Sequence, residues 1–377
     1  MNHTDPARAA PAREFPTLDA LRRIGLKPAQ LQSFHDDLAM LAGWVAEPQL
    51  MRVLEVHREH LLLHDGLHEQ RARPRASLLQ DLVAFSDALA VGDWVLAERN
   101  EFGEWWVHAR LRPLNQMARR HHDGRDKVAR QVVVSNVDTA LLVMGLDHDF
   151  NLRRLERYLA AVRLAEIDAV VVLNKADLCS DVATRQQQAR AVLPAQVPVL
   201  ALNALDVPAT QAALAPWLGV SQTVVLLGSS GAGKSTLTNA LVGTSVQDTG
   251  ANRSGDSRGR HTTTARSLHL LASGGCIIDT PGLRTLRLDS ESGGVQNAFD
   301  DIATLSLQCR FRDCRHQGEP GCAVAGGVDA ARLNNFHKLQ REAQRDHMSA
   351  LQRKAQQNVW KIRSKAARER GKAKLGG

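Results

Sequence analysis

The apolar run Thr223-Val224-Val225-Leu226-Leu227 breaks into Gly228-Ser229-Ser230-Gly231-Ala232-Gly233-Lys234-Ser235 and continues as the helix-forming stretch Thr236 to Val242. No other feature of the 377 residues constrains the fold as tightly. In a G-x-x-x-x-G-K-[ST] loop the glycines let successive backbone N–H groups converge on phosphate oxygens at a helix N-terminus. The lysine neutralises the outer phosphates and the serine offers an oxygen to Mg2+. The expected phosphate site therefore comprises Gly228, Ser229, Ser230, Gly231, Ala232, Gly233, Lys234, Ser235 and Thr236, with Ser235 also facing the metal.

Around this loop the chain alternates strands and helices, the grammar of a mostly parallel α/β sheet. Expected strands are Gln131 to Val134, Thr139 to Met144, Ala169 to Leu173, Val197 to Leu202, Val224 to Leu227, Ser267 to Leu271 and Cys276 to Ile278. Expected helices are Leu152 to Arg163, Ala183 to Val192 and Lys234 to Val242. Upstream, Met51 to Val56, Leu61 to His64, Val91 to Glu98 and Glu104 to Leu111 are β-like and separated by turn signals such as Asp65-Gly66, which predicts a five-stranded OB-type barrel. A chain of this length holds about two or three domains. The expected division is a helical arm over 1–42, the barrel over 43–116, an α/β domain over 117–290, and a small C-terminal module with a basic helix and tail over 291–377.

The strand Ala169 to Leu173 ends in Asn174-Lys175-Ala176-Asp177. A carboxylate there accepts from both N1–H and the exocyclic amine of guanine, which adenine cannot match, so Asp177 selects GTP over ATP. Asn174 would brace the loop and the Lys175 stem would cover the base. Ser-Ala normally completes such a base loop after the next strand; here Asn203-Ala204 stands in that place. Asp279-Thr280-Pro281-Gly282 fits a segment whose Asp279 holds Mg2+ through water and whose Gly282 senses the γ-phosphate, and Thr262, Thr263 and Thr264 fit a switch loop with a threonine ligand. In ordinary GTPases the phosphate loop precedes N-K-x-D; here it follows, so the domain is circularly permuted.

Cys309, Cys314, His316 and Cys322 follow the spacing C-x4-C-x-H-x5-C, three thiolates and an imidazole that fill a closed tetrahedral site for one structural Zn2+. Cys179 and Cys276 are expected to be ordinary core thiols. Of the excess of 48 Lys and Arg over 40 Asp and Glu, nine basic residues against the single Glu369 lie between Arg353 and Gly377. The rest of the chain is balanced, so the tail seeks a polyanion or is a solvated helix face. The composition excludes fibrous and wholly disordered classes. The N-terminus lacks a signal-peptide core and no apolar run is long enough to span a bilayer, so the expectation is a cytoplasmic protein without a membrane partner.

The permuted order, the preceding Val91-Gly92-Asp93-Trp94-Val95, Asn136-Val137-Asp138 and the following Cys/His module together resemble the ribosome small-subunit-dependent GTPase A family, RsgA, over nearly the whole chain. That resemblance implies an OB-fold, a permuted P-loop GTPase and a zinc module whose ligands fall on the same four residues. It also implies GTP/GDP with Mg2+ as cofactor and GTP hydrolysis stimulated by the small ribosomal subunit during late maturation. Ribosomal RNA becomes the polyanion, and the protein is expected to work as a monomer. Ras-like enzymes carry a water-positioning glutamine after the D-x-x-G glycine; Leu283 stands there instead, so intrinsic turnover should be slow. His261 is either the missing water-positioning group or a solvated loop histidine. Trp94, Trp105 and Trp106 are either base-stacking or core residues. The alternative to an assembly GTPase is a GTP-gated RNA-binding module in which hydrolysis is incidental.

Overall fold

The computed structural model describes residues 17–41, 48–122, 128–243, 266–280 and 299–347. Thr17 caps the first helix, α1 (Leu18–Arg23), its hydroxyl accepting from Ala20 N. Pro28 opens α2 (Pro28–Leu41), where its missing N–H costs nothing. Strands β1 (Gln49–Val56), β2 (Leu61–His64), β3 (Glu69–Pro74), β4 (Trp94–Arg99) and β5 (Trp105–Arg110) then close into a barrel of order β1-β2-β3-β5-β4. Period-two alternation sends Met51 and Val53 of β1 into the barrel with Leu63, Val95 and Val107, and α3 (Ala76–Ala84) seats Leu78 and Leu82 against them. The opposite face of the same strands carries Leu50, Trp94 and Leu96, which pack on Leu21, Ile24 and Leu26 of the arm. Trp94 is thus a core residue. Trp105 packs partly buried against the barrel core with its indole N–H on Gln70 Oε1 at 3.1 Å.

Strand β3 and helix α3 have no counterpart in the sequence expectations. The segment Glu69–Pro74 is half charged and gives the barrel only one buried side chain, Ala72, so it lacks a hydrophobic alternation. A second departure concerns Gln131 to Val134. These residues lie in β7 (Val128–Ser135), which pairs antiparallel with β6 (Gln116–His122) in a two-stranded ribbon outside the main sheet. The short connection between the two strands suits a hairpin, whereas a parallel neighbour needs a long crossover.

The main sheet contains β8 (Thr139–Gly145), β9 (Asp168–Asn174), β10 (Val199–Ala201), β11 (Thr223–Leu227), β12 (Ser267–Leu270) and β13 (Cys276–Asp279) in the order β10-β9-β8-β11-β13-β12. All neighbours are parallel except β12 and β13. β8 and β11 are buried along their whole length, as expected of parallel strands covered on both faces. The covering helices are α4 (Leu152–Leu164), α5 (Val182–Ala191), α6 (Val207–Leu214) and α7 (Lys234–Val242). The parallel strands deliver Gly145, Asn174, Leu227 and Asp279 to the carboxyl end of the sheet, where ligands of open α/β folds bind.

Beyond the sheet, α8 (Asp300–Ser306), α9 (Ala323–Gly327) and α10 (Ala330–His347) form the C-terminal module. Phe299 and Phe336 meet edge to face at 5.3 Å and share one apolar cluster with Leu155 and Leu159 of α4. Over that cluster sits a charged knot. Buried Glu156 receives Arg332 and, at 2.5 Å, Asn335 Nδ2, while Arg332 also binds Asp301 at 2.7 Å and the carbonyl of Val192 at 3.0 Å.

Candidate functional site: a phosphate-loop cleft and a Cys/His cluster

Between β11 and α7 the glycine-rich loop takes backbone conformations that side chains resist. Gly231 has φ +86 and Gly233, the residue before α7, has φ +92. A Cβ on Gly233 would fall on the Asn174 amide, and one on Gly228 would strike the carbonyl of Val143. Gly233 is therefore required by close approach as well as by the turn, and Gly228 by close approach alone. Ser235 and Thr236 lie in the first turn of α7, Leu237 N donating to Gly233 O at 2.9 Å, and Ala232 is buried beneath the loop. The Lys234 ammonium lies along the rim, donating to Gly228 O at 2.9 Å and Ser229 O at 2.8 Å.

The Asn174–Asp177 segment is brought directly against this loop. Asn174 is buried; its Nδ2 donates to Ala232 O at 3.1 Å and its Oδ1 accepts from Ala204 N at 3.0 Å. One side chain thus bridges the phosphate loop, the end of β9 and the loop after β10. Asn203-Ala204 supplies the backbone N–H from the position where Ser-Ala is usual, and the Asn203 side chain closes the turn by accepting from Leu205 N at 3.0 Å. Lys175 adopts a left-handed conformation, φ +62, and Ala176 with exposed Asp177 opens a single 3-10 turn, which leaves that carboxylate free of backbone packing.

Asp279 ends β13, next to β11 in the sheet. Burial pushes its carboxyl above the usual range, opposed by the nearby Lys234 charge, and Oδ1 has no hydrogen-bond partner among the described residues. A buried carboxylate oxygen left without a donor, on the strand beside Ser235's helix, fits a hard divalent cation such as Mg2+. Thr280 is anchored below, its hydroxyl donating to Leu226 O at 2.6 Å. His261, Thr262, Thr263, Thr264, Gly282 and Leu283 lie outside the described residues.

Two acids that the motif reading does not single out complete the cleft. Asp147 and Asp149, in the loop between β8 and α4, contact Lys175 and Ser229 respectively at 2.7 and 2.5 Å. Their only sequence signal is a pair of acids two residues apart just after a buried strand.

In the C-terminal module the ligand atoms of Cys309, Cys314, His316 and Cys322 all lie within 4.8 Å of one another. His316 Nδ1 is 3.6 Å from Cys309 Sγ and 3.5 Å from Cys322 Sγ. Tetrahedral zinc with Zn–S of about 2.3 Å and Zn–N of about 2.0 Å needs ligand separations of about 3.5 to 3.8 Å, so the four residues fit that ion and leave no open position. Sequence spacing does not disclose the shell around them. Glu319 accepts from Arg315 N at 3.0 Å and Gln317 N at 2.6 Å, and Ala325 N, in the first turn of α9, points at Cys322 Sγ from 3.4 Å. His337 Nε2 lies 3.1 Å from His316 O, which ties α10 to the cluster.

A phosphate loop that follows its Asn174–Asp177 neighbour in the chain, held between a five-stranded barrel and a Cys3His module, defines a circularly permuted P-loop GTPase. Residues 112–289 match the family model described as RsgA GTPase. Small ribosomal subunit biogenesis GTPase RsgA 2 of Vibrio parahaemolyticus is 45% identical over 346 residues, 90% of this chain and 90% of its own. Small ribosomal subunit biogenesis GTPase RsgA of Xanthomonas axonopodis is 40% identical over 92% of this chain and 93% of its own. Among solved structures, YjeQ from Thermotoga maritima shares the fold, with a TM-score of 0.58 and 24% identity over 79% of this chain and 99% of that one. The chain belongs to the RsgA GTPase family.

Proposed function

We propose that this chain acts in late assembly of the small ribosomal subunit, using bound GTP to set its affinity for the particle and hydrolysis to GDP and phosphate to trigger release. Relatives named small ribosomal subunit biogenesis GTPase match it over nine tenths of their length. Within the molecule, the Asn174 bridge carries the reading, because it joins base loop and phosphate loop into one site. In this reading Asn174, Lys175, Ala176 and Asp177 hold guanine, and Gly228 to Thr236 hold the phosphates. Ser235 and Asp279 hold Mg2+ with a threonine from Thr262 to Thr264, and Gly282 senses the γ-phosphate. Cys309, Cys314, His316 and Cys322 hold one structural zinc.

The work divides along the chain as a helical arm over 1–42, the barrel over 43–116, the GTPase over 117–290, and the zinc module with its basic tail over 291–377. The tail's nine cations suit ribosomal RNA, so binding should weaken steeply as salt rises. The protein works in the cytoplasm as a monomer, with no membrane partner. His261 positions the attacking water in place of Leu283, and His261→Ala should abolish stimulated turnover.

GTP turnover with and without isolated small subunits, using large subunits and ATP as controls, tests the proposal. Strong stimulation by small subunits alone is expected. Tight GTP-dependent RNA binding without stimulation would favour the other reading, a GTP-gated RNA-binding module, which Leu283 supports.

A further inference from the structure

The loop between β8 and α4 touches both halves of the nucleotide cleft, and no sequence motif accounts for it. Asp147 Oδ2 receives the Lys175 ammonium at 2.7 Å, while its Oδ1 accepts from Asp149 N at 2.9 Å, so the carboxylate is fixed through both oxygens. Burial works against its ionisation, yet the Lys175 bond and the Asp149 N–H hold it below the usual carboxylate range. Asp149 is buried and faces the other way. Its Oδ1 accepts from Ser229 Oγ at 2.5 Å and pairs with Arg154 at 2.8 Å, and its Oδ2 accepts from Gly145 N at 3.2 Å. Arg154 offsets the negative charge, so a carboxylate beside the phosphate loop does not repel an anion there. Leu146 N donates to Asn174 O at 2.8 Å, which pins the loop to the end of β9.

A lysine side chain is flexible and loses rotamer entropy when a ligand orders it. Lys175 leaves the backbone from a left-handed conformation and ends on a fixed carboxylate, so its stem is already ordered at both ends. We propose that Asp147 is a positioning residue for guanine, holding the Lys175 stem where it covers the base, and that Asp149, through Ser229, ties the same loop to the phosphate loop. The β8–α4 loop is then a clip that sets base recognition and phosphate binding in one register. The inference rests on the assignment of Asn174 to Asp177 to the guanine.

The test uses the full chain and fluorescent GDP and GTP, with ATP as competitor. Asp147→Asn should weaken GDP and GTP by the same factor, about tenfold, and leave the weak ATP competition unchanged. The GTP-over-ATP ratio then falls about tenfold, while kcat at saturating GTP stays within about twofold. Asp147→Glu, which can still reach Lys175, should recover most of the loss, an outcome that general damage to the fold would not give. Asp149→Asn and Ser229→Ala should be non-additive, the double variant binding GDP no more weakly than the worse single one. An unchanged GTP-over-ATP ratio in Asp147→Asn, or an equal loss for ATP, overturns the role of Asp147 if Asp177→Asn loses its GTP preference in parallel. If Asp177→Asn still prefers GTP, the base assignment itself is wrong and the clip falls with it.

Discussion

Asp93 shows how much of this molecule depends on where a single side chain is placed. It sits at the seam between barrel and GTPase, fully buried, with Oδ1 accepting from Ser135 Oγ at 2.6 Å and Oδ2 from Ala90 N at 2.8 Å. Burial pushes its carboxyl up to about 6, against the pull of Arg110 and these two donors. The folded state therefore holds a proton that the unfolded chain releases near 3.8. The stabilisation is complete below that value and is lost as pH rises through about 6. Asp93→Asn should remove this slope. Urea unfolding across that window should show the wild type losing about 3 kcal/mol that the variant keeps, and parallel curves would refute the placement. Burial acts on Cys276 in the same direction, raising its thiol to about 11, so it stays protonated and inert at neutral pH.

At the scale of elements, the Arg52 side chain on β1 is the join between three units. The alternation that points Met51 and Val53 into the barrel turns Arg52 outward, where it is fully buried against the arm and the main sheet. Its guanidinium donates to the carbonyls of Ile24 and, at 3.1 Å, Asn136, and to Thr223 Oγ1 at 3.0 Å, and stacks 5.5 Å from the Trp94 ring. A Cβ on Gly25 would collide with it, which explains the glycine at φ +93 between α1 and α2. Burial lowers its pKa, offset by Cys276, Asp138 and Asp93. Thr223 begins the strand that ends in the phosphate loop, so the barrel grips that strand from behind. Arg52→Met should leave those acceptors unmatched and cost about 3 kcal/mol by chemical denaturation, without changing zinc content. A loss under about 1 kcal/mol would mean the barrel docks by apolar contact alone.

Across the whole molecule, the C-terminal module is fastened to the GTPase by the Glu156, Arg332, Asp301 and Asn335 knot and by the shared cluster around Phe299 and Phe336. That cluster is continuous with the core under the main sheet, but the nucleotide loops are held to each other by Asn174 on Ala232 and Ala204 rather than by the module. Removing zinc with a chelator, or replacing Cys314 by Ser, should lower the metal content from about one ion per chain and lose helical signal from the module. GDP affinity should stay within about threefold. Circular dichroism with fluorescent-GDP titration on the same sample checks this, and a parallel collapse of GDP binding would show that the two sites share one cooperative unit.

The barrel strands β1, β2, β4 and β5, the parallel sheet, both nucleotide motifs and the Cys3His cluster were legible because each rests on neighbouring residues. Hydrophobic periodicity, glycine conformations and ligand spacing act over one turn or one strand, so the chain itself specifies them. β3 escaped that reading because its charged residues carry no alternation, and the place of residues 131–134 in a ribbon depended on which strand they pair with. The contacts that assemble the site were invisible for a different reason. Asn174 on Ala232, Asp149 on Ser229, Arg52 on Thr223 and Arg332 on Glu156 join residues 58, 80, 171 and 176 positions apart. Sequence alone determined which chemistry this protein carries, a triphosphate loop, a guanine-type motif and a metal cluster. Tertiary structure decided which polar groups are buried together and thereby matched, because only packing removes them from water and makes each partner necessary.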